Sequence, residues 1–126
     1  TSKNLNLKPY RDFYLQHMWH RANYYNELSK KVFGREVKHT ILIHHNVLNA
    51  LFLDDLMAMF KAKGWKLISS REAFTDLVYA LEPNVLPAGE SVVWAAAKSK
   101  PEHAGNLRYP AEDSRYEKEK MDALGL

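Results

Sequence analysis

The stretch that most constrains this chain is residues 40–53, TILIHHNVLNALFL, where the apolar run Ile41-Leu42-Ile43 stops abruptly at His44. A short β-branched run of this kind suits a strand buried on both faces, as in a parallel sheet. Polar residues at the carboxyl end of such a strand fall where α/β folds place their ligands. Strand alternation sets Thr40, Leu42 and His44 on one face and Ile41 and Ile43 on the other. Leu42 and His44 are therefore expected to look into one cavity, the first apolar and the second able to carry a proton.

The chain has 126 residues, enough for one modest core and too few for two. Lys and Arg number 18 against 15 Asp and Glu, a net charge of +3 with both signs interspersed. Nucleic-acid binders concentrate basic residues on one face, so that class is disfavoured. With no cysteine, disulfides and thiolate metal sites are excluded. That absence does not fix the compartment, and an exported or periplasmic bacterial setting fits it. No apolar run approaches the roughly 18 residues of a membrane span. The chain opens on Thr1-Ser2-Lys3 rather than Met, which leaves room for a processed or excised piece and for a targeting segment outside it.

From Pro9, apolar residues Tyr14, Met18, Ala22, Tyr25, Leu28 and Val32 recur at helical steps. Lys30, Lys31 and Gly34 form the stop. The pattern predicts one long N-terminal helix, then a strand over 37–44. Asn46 or Asn49 caps the next helix, whose inner face carries Leu53, Leu56, Met57 and Phe60 and which ends at Gly64. Residues 65–68 read as a second strand. Ser69 with Glu72 forms a capping box for a short helix, residues 90–98 form another, and Ser114 with Glu117 opens a terminal one. Strands alternating with helices imply an α/β fold with about two parallel strands and several helices. The expected organisation is residues 1–80 as the main portion, with residues 81–126 as an irregular and helical extension packed on it.

Several runs, in this order, resemble the end of the polysaccharide deacetylases, the NodB-homology proteins of carbohydrate esterase family 4. They are Tyr24-Tyr25-Asn26-Glu27-Leu28-Ser29, Phe33-Gly34-Arg35-Glu36-Val37, Ile41-Leu42-Ile43-His44, Leu48-Asn49-Ala50, Leu53-Asp54 and Gly64-Trp65-Lys66-Leu67-Ile68-Ser69. The resemblance covers residues 10–80. It implies a fragment of a distorted (β/α) barrel and a metal-dependent amide hydrolase acting on N-acetylated polysaccharide. Such enzymes hold a divalent metal, usually zinc, through one Asp and two His, and a second Asp serves as base. The family's last motif is an L-x-H element, here Leu42-Ile43-His44, which makes His44 the catalytic general acid and Leu42 a substrate-binding residue of the acetyl-methyl pocket. Thr40 stands where some members carry a further Leu. The Asp-Asp, H-S/T-x-x-H and Arg-x-Pro motifs do not occur in this sequence, so no metal ligand is assigned here and the chain alone is expected to be inactive.

Other residues have plainer readings. His17 and His20 share a helix face, but no Asp or Glu at helical spacing completes a metal site. The aromatic residues Tyr10, Phe13, Tyr14, Trp19, Tyr24 and Tyr25 are able to stack on sugar rings, yet core packing is the simpler role. Asp54-Asp55 is expected to compensate a helix start. Two function classes follow: the C-terminal fragment of a polysaccharide N-deacetylase, or a non-catalytic binding or assembly module. The expected partners are the remainder of a parent chain or a second copy, together with a polysaccharide, because two strands alone make no stable sheet.

Overall fold

The computed structural model describes residues 5–87, 90–103, 105, 108–109 and 114–126, with the side chains of 114 and 115 outside that description. Its elements are the helices α1 (Lys8–Phe33), α2 (Val47–Ala62), α3 (Ser70–Ala73), α4 (Val92–Lys98) and α5 (Ser114–Ala123). Short 3-10 turns lie at Leu77–Ala80 and Pro101–His103. Among the described residues there is no strand. The expected α/β fold, a barrel fragment with two parallel strands, is therefore overturned: the regular elements among the described residues are all helices.

The reason lies in where the main-chain polar groups go, since each must find a partner when shielded from water. In both runs expected to be strands, the partners are not another strand. The N–H of Lys38 donates to Asp76 at 2.9 Å, and its carbonyl accepts from the Tyr79 hydroxyl at 2.8 Å. The His44 carbonyl accepts from the Asn49 side chain at 2.7 Å. The Trp65 N–H closes back on the Phe60 carbonyl at 3.0 Å, finishing α2 where Gly64 adopts φ +84°. The β-branched run is not buried either: Leu42 is 83 % and Ile41 50 % exposed.

The chain divides into two compact units, each taking residues from both sides of position 80. The first comprises residues 1–20, 43–67 and 110–126. Here α2 buries Phe52, Leu56 and Phe60, which recur every four residues on one face. The inner face thus includes Phe52, while Met57, expected to point inward, is exposed. Asn46 is the cap, its side chain accepting from the Asn49 N–H at 2.9 Å. The first half of α1 packs on α2 through aromatic pairs. Tyr14 meets Phe52 at 6.2 Å between centroids, and Trp19 meets Phe60 at 6.4 Å and Trp65 at 6.2 Å. From α5, Glu117 reaches His17 at 3.1 Å.

The second unit comprises residues 21–42 and 68–109. Leu28 and Val32 of α1, Val37, Val78, and Val93, Ala96 and Ala97 of α4 make its core. Trp94 is buried as well, so α4 hides more than the Val92, Val93 and Ala96 side that its sequence suggests. Ser91 caps α4, and Ser69 caps α3 as expected, accepting from the Glu72 N–H at 3.2 Å. α1 ends at Gly34 in the left-handed region, φ +67°, where a side chain is disfavoured. Part of the extension expected over 81–126 and the Ser114 side chain of the last capping box lie outside the described residues.

Candidate functional site

His44 closes the irregular segment that leads into α2, two residues before the cap Asn46. Its side chain is exposed, and so is that of His45. Its main chain is held: Asn49, on the first turn of α2, donates Nδ2–H to the His44 carbonyl at 2.7 Å. The Asn49 Oδ1 in turn accepts from the Tyr14 hydroxyl of α1 at 2.5 Å. Beside this relay the Arg11 guanidinium grips Asp55 at 2.6 Å and draws that carboxylate below its usual pKa. The Tyr14 hydroxyl is pushed the other way, upward, by burial. The local chemistry at His44 is thus a solvent-facing imidazole on a fixed backbone.

Leu42 belongs to the second unit and is 83 % exposed there. Just before it, residues 38–40 are fastened. Tyr79 donates to the Lys38 carbonyl and lies 3.2 Å from the Thr40 hydroxyl. His39 Nε2 meets Asn26 Oδ1 at 3.0 Å, and Asn26 Nδ2 donates to Glu36 at 3.1 Å. Burial lowers the His39 pKa, against opposing pulls from Asp76 and Glu36.

His17 pairs with Glu117 and stacks on Phe13, and His20 is exposed. Among the described residues no group of three or more His, Cys, Asp or Glu gathers to hold a metal ion. Asp54 and Asp55 stand well inside α2, because the helix starts at Val47; they do not compensate its start. Phe13, Tyr14, Trp19, Tyr24 and Tyr25 of α1 are engaged within the protein. Lys63 sits over the Trp19 ring at 4.4 Å, and Tyr24 packs on Tyr25 at 5.3 Å and Tyr109 at 5.5 Å. Among the described residues no helix is long and apolar enough to cross a membrane.

Sequence reasoning singled out His44 and Asn49 separately, Asn49 only as a capping candidate, and did not join them. A polar residue three positions into a helix whose cap is already supplied is the signal that its side chain is spent elsewhere. No known family matches the chain, and neither does any curated protein or solved structure.

Proposed function

We propose that this chain is the C-terminal part of a metal-dependent N-deacetylase of peptidoglycan- or chitin-like polysaccharide, with His44 as the general acid. The reading rests on the order of the residue runs from Tyr24 to Ser69, and not on a barrel, of which the described residues form no strand. The observation that carries it is the pairing of an open imidazole with a pinned backbone at His44. Imidazole is the side chain that both holds and releases a proton near neutrality. In the reaction, water attacks the N-acetyl carbonyl and the C–N bond breaks. His44 passes its proton to the departing nitrogen, giving acetate and a free amine. Leu42, exposed and apolar, is the residue assigned to the acetyl methyl.

The described residues do not offer a metal site, so no step through the ion is assigned to this chain. The ion and the base belong to the remainder of the enzyme. The test is acetate release from a chitooligosaccharide by a full-length protein containing this sequence, with zinc or cobalt added. His44→Ala is expected to lower kcat by about 10²–10⁴-fold, and the isolated chain is expected to release no acetate. Full activity in His44→Ala would overturn the assignment.

A second reading, a non-catalytic binding or assembly module, is favoured by one observation. α2 is apolar on two sides: Val47, Leu48 and Leu51 are exposed while Phe52, Leu56 and Phe60 are buried. Helices apolar all round are normally covered. Light scattering across a concentration series tests the association, and acetate release by the full-length protein separates the readings, since a module of this kind releases none.

A further inference from the structure

We propose that Tyr14 and Asn49 are positioning residues for His44, acting through a relay of two hydrogen bonds that ties its main chain to α1. The inference deepens the deacetylase reading and depends on it. Three observations carry it, all within the first unit. First, Asn49 Nδ2 donates to the His44 carbonyl at 2.7 Å and Tyr14 donates to Asn49 Oδ1 at 2.5 Å. The amide orientation is fixed by its surroundings, because the reverse would set its oxygen against the His44 carbonyl oxygen.

Second, the Asn49 side chain has no capping duty. Asn46 already accepts the Asn49 N–H at 2.9 Å. Residues 44–49 are thus clamped twice, once for the helix and once for His44. Third, both relay side chains are half-buried, while the imidazole they serve is exposed. The Tyr14–Asn49 bond is part-buried, the Asn49–His44 bond lies at the surface, and the imidazole stays open. A general acid must come within roughly 2.6–3.2 Å of its target. A displacement of about 1 Å is able to cost on the order of 10²-fold in rate.

The test uses the full-length enzyme containing this sequence, with the variants Asn49→Asp, Tyr14→Phe and His44→Ala. Asn49→Asp keeps the acceptor for Tyr14 and suits a helix first turn. It replaces the one N–H pair that faces His44 with an oxygen. Its melting is expected to fall modestly, because the lost bond leaves two oxygens facing each other, while kcat falls roughly 10-fold with KM within about twofold. The acid-dependent limb of its kcat profile is expected to shift. Tyr14→Phe keeps the ring against Phe52 and is expected to lower kcat by a smaller factor, about threefold. It serves as the second variant if Asp at 49 unfolds the protein. In the chain itself, the carbonyl carbon resonance of His44 reports the bond directly, and Asn49→Asp should move it. Unchanged kcat in Asn49→Asp, with His44→Ala lowered as expected, overturns the positioning role alone. Full kcat in His44→Ala overturns the general-acid reading, and the positioning role with it.

Discussion

Arg35 holds Asp76 by both arms, its two terminal nitrogens donating to the two carboxylate oxygens at 2.9 and 2.7 Å. The same carboxylate accepts the N–H of Lys38 and the N–H of Val78, each at 2.9 Å. One side chain therefore fastens the residues after α1 to the 3-10 turn Leu77–Ala80, which it caps. Fork geometry of this kind is stronger and more specific than a single contact. Asp76→Ala is expected to lower stability by about 1–2 kcal/mol, chiefly through the lost cap and the orphaned N–H groups. Asn at 76 should recover part of the loss, because it still accepts. Urea denaturation of the three proteins at neutral pH checks the order.

Acid should loosen the second unit in two separate windows. Burial holds the His39 pKa below its ordinary value, so the folded chain takes up that proton less readily than the unfolded chain. Its contribution is complete above about pH 6.5 and declines as pH falls below that value. Asp76 is drawn far below the usual carboxylate range, first of all by the Arg35 hydrogen bonds. Its contribution is complete above about pH 3.9 and is lost below it, where the unfolded chain protonates first. The urea midpoint is expected to drop between pH 7 and about 5.5, and again below about 4. His39→Gln should flatten the first step. Asp76→Asn should shrink the second without abolishing it, because Glu36 and Asp55 are depressed in the same direction.

How much of this was readable from the residues depends on what closes each segment. α1 announces itself, since Lys30, Lys31 and Gly34 stop it from within the same stretch. The caps Asn46 and Ser69 are local too, each serving a group three residues on. The runs at 37–44 and 65–68 are different. A β-branched run records only that it suits an extended backbone, and a strand exists only if another comes to its edge. Here Asp76, Tyr79 and Asn49 take those main-chain groups instead, from 38, 41 and 5 positions away. Neither hydropathy nor spacing encodes that choice. His44 stood out as a proton carrier at the end of an apolar run. Tyr14 did not, because a tyrosine on an aromatic helix looks like packing, and its ring does pack.

Ala97 belongs to the core of the second unit. It is 0 % exposed and lies on α4 among Leu28, Val32, Val37 and Val78. Interiors are close-packed, so added methylenes force neighbours off their rotamers. Ala97→Leu is expected to cost about 1–3 kcal/mol. Urea denaturation followed by far-UV circular dichroism checks it, with the midpoint expected at lower urea than in the parent chain.

The two sides of α2 give the sharpest contrast in expected effect. Leu56 is 2 % exposed, between Phe52 and Phe60, and Leu51 is 50 % exposed on the other side of the helix. Leu56→Ala removes buried methyls and leaves a hollow that the aromatic neighbours cannot fill, at a cost of about 2–5 kcal/mol. Leu51→Ala at the surface should fall within about 0.5 kcal/mol of zero, with a small gain from helix propensity. Both substitutions are conservative in chemistry, so any difference between them measures burial alone. The comparison should be run at low and high protein concentration. If the cost of Leu51→Ala climbs with concentration toward that of Leu56→Ala, the outer side of α2 is covered by a second copy in solution. A cost near zero at every concentration leaves that side facing water in the free chain.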